Sequence, residues 1–397
     1  MTETLRIAVR KYDPFVSAIK KQFSDFVAVN NLDLRLETEI MDLNPLHDTL
    51  FAKGRLQNGD FDIAFIPTDW IAEAQSLGLI EDLTPIMRRS PLSGFPEAWS
   101  KSLLGLQSIG GGFWGMPYHD GPQCLIYRKD LLEQAGLPVP TTWEEFHATA
   151  RKLQDPASGR YGTLLALYPD GHNAFYDFCI HLWTRGGEAF DNAGKPQFLS
   201  DAAHDALEFI RTLAGDETAV APNLREIESI KSGILFNEGK LALMTNWFGF
   251  AIFGETASDS KVAGKIDVAP LPSGKNGQSV SLNVFWLLTI AAGSTKKALA
   301  WDFIRHCASA PMDKLLTLEG AIGVRRSTWS DADVNRIAPY YEKLDELHTR
   351  ARELPVHPRL SEIAHVVDDL MTKATTTDRP SSELLREAQA EIERIVA

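Results

Sequence analysis

The N-terminal part of the chain switches repeatedly between a two-residue and a 3.6-residue apolar period, which restricts it to a layered α/β arrangement. Leu5–Val9 reads as a short buried strand. Pro14 opens a helical pattern to about Val29, with Phe15, Ile19, Phe23, Phe26 and Val27 on one face and Lys20, Lys21 and Asp25 elsewhere. Leu34, Leu36, Thr38 and Ile40 alternate on one side of a second strand over 32–40. Leu46–Leu56 predicts a helix, and Asp62–Ile66 a third strand bounded by Pro67. Strands joined by helices pair in parallel, so a largely parallel sheet is expected.

Later segments predict strands over 125–127, 241–244 and 266–268, and a continuous apolar run over 284–292 suits a central strand. Thr142-Trp-Glu-Glu145 is a capping box, so a helix is expected from there to about Leu153. Helices are also expected over 129–135, 174–184, 202–213, 225–236, 296–309 and 312–318, and from about Leu360 to an amphipathic end carrying Leu384, Ala388, Ile392 and Ile395. The Gly-, Lys-, Ser- and Pro-rich run 258–281 reads as an exposed connection. At roughly 150 residues per domain, 397 residues make two or three domains.

Charge and cysteines exclude several functions. Asp+Glu 53 against Lys+Arg 40 gives a net charge of −13, so the chain has no overall basic footprint for nucleic acid or for an anionic membrane. Cys124, Cys179 and Cys307 form no CxxC pair, so they read as buried apolar thiols. No run approaches the ~18 apolar residues of a membrane span. Met1–Arg10 lacks the apolar core of a signal peptide, so either the chain stays in the cytoplasm or the sequence begins after a removed leader.

Familiar catalytic motifs fail on context. Gly110–Gly115 fits G-x-G-x-x-G, but Pro117 follows at once and blocks the helix that a dinucleotide site needs, so a turn is expected there. Gly233–Lys240 has the wrong glycine spacing for a phosphate loop and no Ser or Thr after the lysine. The ten histidines show no metal-ligand helical spacing, and Tyr340-Tyr341 reads as packing. No cofactor and no metal are expected.

A longer pattern begins at Asp62. Asp62-Ile-Ala-Phe-Ile-Pro-Thr-Asp69-Trp70 precedes Leu77-Gly78-Leu79-Ile80-Glu-Asp-Leu83. Phe113-Trp-Gly-Met-Pro117 precedes Cys124-Leu-Ile-Tyr127-Arg128-Lys129-Asp130, then Ala135-Gly136-Leu137 and Pro140-Thr-Thr-Trp143-Glu-Glu-Phe146. Gly186-Gly187-Glu-Ala-Phe190-Asp191, Phe236-Asn-Glu-Gly239-Lys-Leu-Ala242-Leu-Met244 with Trp247, Asp267-Val-Ala-Pro270-Leu-Pro272 and Trp301-Asp-Phe303-Ile304 keep the order. This series, which covers nearly the whole chain, resembles the bacterial extracellular solute-binding proteins of family 1, the maltose-binding type. It departs from their Y-N-K-D at Arg128, where Asn is usual.

The resemblance implies a two-lobed periplasmic-binding-protein fold (α/β, type II, venus flytrap) with the ligand cleft between the lobes and hinge closure on the ligand. It places one lobe at 1–118 plus 284–327 and the other at 122–279 plus 328–397, with crossovers near 119–121, 280–283 and 327. It implies the substrate-binding component of a sugar ABC importer, periplasmic, with transmembrane permease subunits as partners and no catalysis. A sugar needs an aromatic plate and planar polar groups. On that basis the candidate ligand residues are Tyr12, Asp13, Asp42, Asn44, Asp69, Trp70, Tyr118, His119, Asp120, Trp183, Trp247, Phe248, Asn283, Trp286 and Arg325. Trp247 leads, because the family has a stacking aromatic there. Phe285 and Trp286, where the family often has Gly, point to a narrow cleft and a small ligand. Arg10 and Arg325 raise an acidic saccharide. Asp42, Asp69 and Asp120 keep a polyamine open, and a polyol is also open. A bilobal enzyme or a cytoplasmic sensor are the readings from other classes. Trp99, Trp143, Trp301 and Trp329 read as structural.

Overall fold

The computed structural model describes residues 2–275 and 277–397; Asn276, within the run read as an exposed connection, and Met1 lie outside the described residues. The strands that frame the candidate residues are β1 (Glu3–Arg10), β2 (Leu34–Met41), β3 (Ile63–Pro67), β4 (Met116–His119), β5 (Gln123–Arg128), β6 (Leu243–Trp247), β7 (Ile266–Ala269) and β8 (Trp286–Ile290). The chain divides into two compact units. Unit 1 holds 1–121, 284–342 and 356–358; unit 2 holds 122–283, 343–355 and 359–397.

Unit 1 is built on a five-stranded sheet in the order β2-β1-β3-β8-β4. β1 runs parallel to both β2 and β3, as the strand–helix alternation predicts. β8 lies antiparallel between β3 and β4, pairing Trp286 with Pro67 on one side and with His119 on the other. Burial follows position. Every residue of central β3 is buried, whereas edge strand β2 alternates and exposes Arg35, Glu37 and Glu39. Charged residues on an exposed edge discourage pairing with a second chain. Helix Asp13–Asn30 starts with Pro14 in its first turn and stops at Asn31, which takes a left-handed conformation at φ 50°. Its buried face carries Phe15, Ala18, Ile19, Gln22, Phe23 and Phe26. The helix expected over 46–56 is shorter and earlier: it spans Leu43–His47 and continues as one wider turn over Asp48–Ala52.

Unit 2 holds an antiparallel sheet, β6-β5-β7, with fully buried β5 at its centre. Thr142 caps helix Trp143–Leu153 as its sequence predicts: its hydroxyl accepts from Glu145 N–H at 3.2 Å, and Glu145 Oε2 accepts from Thr142 N–H at 3.2 Å. Helix Asn173–Trp183 is buried on all sides, and it packs against helices Asp201–Ala214 and Leu360–Thr376. The run 258–281 is not wholly a surface connection, because it contains β7 and buried Val262 and Leu271. Residues 328–342, expected with the second lobe, cluster with unit 1. There helix Ala332–Ile337 packs on helix Ala310–Leu318, and Lys314 is paired with Asp331 and Asp333 at 2.9 and 2.7 Å. Gly110 and Gly111, at φ 60° and 82°, turn a two-stranded hairpin rather than open a helix. The three cysteines are buried free thiols.

Candidate functional site

In unit 1 the candidates converge on one edge of the sheet. β1, β2, β3 and β4 end there, and antiparallel β8 begins there. Strand ends leave short loops free to carry function over a rigid base. Tyr12 and Asp13 follow β1, Asp42 and Asn44 follow β2, Asp69 and Trp70 follow β3, His119 ends β4 and Trp286 opens β8.

Phe15 underlies this edge. Its ring meets those of Tyr12 at 5.0 Å, His119 at 4.9 Å and Trp286 at 5.9 Å, all edge to face. Tyr12, half-buried, donates its hydroxyl to Gly320 O at 3.2 Å, and burial beside Asp13 holds its phenol well above the usual range. His119 is half-buried. Its Nδ1 accepts from Ile322 N–H at 2.9 Å, so the neutral ring carries its proton on Nε2. Burial, opposed by Asp120, pushes this ring down to about 4, so it is uncharged at neutral pH. Asp120 is buried, and its N–H donates to Ile322 O at 3.0 Å. Trp286 and Asp69 are half-buried; Asp13 and Asn44 are exposed.

Four unit 1 expectations change. Tyr118 is buried against Phe15 and Phe65 and donates its hydroxyl to Gln22 at 2.8 Å, so it belongs to the core, since alternate residues of a strand face opposite ways. Trp70 is buried among His47, Phe51 and Trp286, so it backs the edge rather than forming it. Asp42 is exposed and ion-paired with Arg10 and Lys11 at 3.4 and 3.2 Å. Arg325 is buried: it donates to Ala308 O at 2.7 Å and to Ser93 O at 3.3 Å, and its guanidinium stacks over Trp99 at 4.3 Å. Both arginines behind the acidic-saccharide expectation are therefore committed to partners within unit 1.

In unit 2 the edge where β6 ends carries Trp247, opposite Gln123 at the start of β5. Trp247 is half-buried, and Tyr176 meets its ring edge to face at 5.7 Å and 84°. His172 in turn meets Tyr176 at 5.5 Å. Asn246 braces the strand end, accepting from Trp247 N–H at 2.8 Å and donating to Ser229 O at 2.9 Å. Phe248 is 0% exposed and Trp183 is 3% exposed with the Arg352 guanidinium 5.1 Å over its ring, so both serve the core. Asn283 is buried, and its N–H donates to Arg352 O at 2.8 Å.

Sequence reasoning missed Tyr176, His172, Asn173 and Asp177. Their signal was a polar residue at every fourth position, Asn173, Asp177 and His181, in a helix whose other residues are apolar or aromatic. Burial pushes the Asp177 carboxyl up to about 8, and no described residue hydrogen-bonds to it. Asp368 is likewise pushed up to about 7 by burial, and its Oδ2 accepts from Gly171 N–H at 2.7 Å. Among the described residues, no group of three His, Cys, Asp or Glu side chains is placed to hold a metal ion. No described helix is long and apolar enough to cross a membrane.

Residues 47–314 match the profile of the bacterial extracellular solute-binding proteins. The mannitol-binding protein of Pseudomonas aeruginosa is 28% identical, over 93% of this chain and 84% of that protein. An ABC transporter solute-binding protein of Agrobacterium radiobacter K84, solved with ribitol, is 25% identical, with a TM-score of 0.90 over 99% of this chain and 98% of that one. Maltose-bound MalE3 of T. maritima shares the fold at a TM-score of 0.89 and 23% identity over 99% of each chain. The family and these neighbours are two-lobed α/β binding proteins rather than enzymes. With the profile spanning well over half of its length, this chain belongs to the bacterial extracellular solute-binding proteins.

Proposed function

We propose that the chain is the substrate-binding component of an ABC importer for a small polyhydroxylated solute, a sugar or a sugar alcohol. It would work in the periplasm and deliver the solute to transmembrane permease subunits. The observation that carries the reading is half-buried Trp247 at the end of β6, held edge-on by Tyr176. An indole face left partly open beside polar groups suits the C–H faces of a carbohydrate. In unit 1, Trp286 and the neutral His119 ring repeat that pairing of aromatic surface with an uncharged donor. The relatives named for mannitol and ribitol favour a polyol as the first solute to try. The reading includes the hinge closure that the resemblance implies.

A thermal-shift panel with D-mannitol, ribitol, maltose, galacturonate and spermidine tests it. A solute at 100 times its dissociation constant adds about 2.7 kcal/mol, which moves the midpoint of a chain this long by about 3 °C. A shift with mannitol, ribitol or maltose is expected, lost in Trp247→Ala and accompanied by a smaller radius of gyration in solution scattering. A shift with spermidine alone would overturn the solute class, and conversion of a bound sugar would overturn the binding-protein reading.

A further inference from the structure

Main-chain atoms of residues 320–325 in unit 1 meet three of the candidate residues, two through their side chains and one through its backbone. Tyr12 donates to Gly320 O, Ile322 N–H donates to His119 Nδ1, and Ile322 O accepts from Asp120 N–H. One buried carboxylate ties this segment down. Asp313 Oδ1 accepts from Val324 N–H at 2.9 Å, and its Oδ2 accepts from Arg325 N–H at 3.1 Å and from Thr328 Oγ1 at 2.5 Å. A turn away on the same helix, Thr317 Oγ1 accepts from Gly323 N–H at 2.9 Å. Gly323 is required by this clamp, because a Cβ there would lie 2.5 Å from Asp313 Oδ2 and 2.6 Å from Thr317 Oγ1.

We infer that Asp313 is a positioning residue: through the main chain of 320–325 it fixes His119 as a hydrogen-bond donor at Nε2, so that the edge selects solutes offering an oxygen acceptor there. The chemistry follows from the imidazole inventory. A neutral ring has one donor and one acceptor nitrogen, and whichever partner meets the first decides the role of the second. An amide N–H can only donate, so Nδ1 must accept and Nε2 must carry the proton. No described residue accepts from Nε2. A hydroxyl or carboxylate oxygen satisfies that donor; an ammonium, which only donates, leaves it unpaired, at a cost comparable to a lost hydrogen bond. Asp313 itself meets no solute. It acts at a distance, by holding Ile322 in the register that faces the ring.

This inference rests on the reading that the edge meets a solute, and the experiment separates the two. Long-range proton–nitrogen spectra of the 15N-labelled full chain report the His119 tautomer, assigned by loss of its signals in His119→Phe. D-mannitol titration by calorimetry gives affinity. In the wild type we expect a single neutral tautomer protonated at Nε2. Thr328→Val removes one leg of the clamp with little change in volume, and Asp313→Asn weakens two; both should give mixed tautomers and about tenfold weaker mannitol binding, the worth of one hydrogen bond. His119→Phe should lose at least as much. A wild-type ring protonated at Nδ1 would overturn the inference, as would a single Nε2 tautomer with unchanged affinity in both clamp variants. If mannitol and the other polyols fail to bind the wild type, the proposed function falls, while the ring spectra still decide whether Asp313 sets the tautomer.

Discussion

Replacing Asp177 with Asn should stabilise the protein by an amount that grows with pH. The carboxyl is 8% exposed on helix Asn173–Trp183, and burial alone pushes it from 3.8 up to about 8. Between those values the folded protein keeps a proton that the unfolded chain releases. The folded state therefore binds more protons, and stability falls as pH rises through the window. Each pH unit costs about 1.4 kcal/mol, so at pH 7 the accumulated cost is about 4 kcal/mol and at pH 5 about 1.6 kcal/mol. Asn keeps the shape and has no charge to desolvate. Unfolding entropy near 2.1 cal/mol/K per residue amounts to roughly 0.8 kcal/mol/K for 397 residues. The variant should thus melt about 5 °C above wild type at pH 7 and about 2 °C above it at pH 5. Differential scanning calorimetry without solute, at fixed ionic strength, reads both gaps. Equal gaps at the two pH values, or a variant that melts below wild type at pH 7, would refute the argument that burial of a charge at this position governs the cost.

Three further outcomes are expected. Arg325→Ala should lower the melting point by several degrees, because it removes two carbonyl hydrogen bonds and the stack on Trp99; an unchanged melting point with lost binding of an acidic sugar would restore the ligand role that burial argues against. Gly323→Ala should destabilise by about 2 kcal/mol or more in urea titration, since its Cβ meets Asp313 and Thr317 at under 3 Å. Asp62→Ala should cost about 3 to 5 kcal/mol in the same assay. That carboxylate accepts from Lys296 Nζ at 2.9 Å, Ser294 Oγ at 2.6 Å and Arg6 N–H at 2.9 Å, and its loss leaves a largely buried ammonium without its counter-charge, with Thr4 O as its remaining acceptor.

Much of the fold was legible because its signals are local. Period-2 and period-3.6 patterns located β1, β3 and helix Asp13–Asn30, and Thr142 and Glu145 announced their helix by spacing alone. The sheet edge was legible too, because a carboxyl-end loop follows each strand. Side-chain direction within those loops was not. Tyr118 and His119 are neighbours in sequence, yet one donates into the core at Gln22 while the other lies at the edge, and only pairing with β8 fixes which. Arg325 read as a candidate ligand residue because nothing local predicts that Ala308 O and Ser93 O, 17 and 232 residues away, will meet its guanidinium. Asp313 escaped notice for the same reason: a lone aspartate in a helical pattern gives no sign that it will anchor another segment.

The place of β8 in the unit 1 sheet has a consequence for how the chain is made. β3 and β4 are both complete by residue 119, but the strand that joins them does not exist until residues 286–290 have been synthesised. At 5–20 residues per second, translation of that interval takes about 10 to 30 s. Through all of it, the nascent N-terminal unit holds two fully formed strand sequences with no partner between them. Its sheet must close across a long loop, which is slow. Chains released before residue 286 should therefore be open to protease in their first 121 residues, and chains extended past Pro358, where unit 1 is complete, should not.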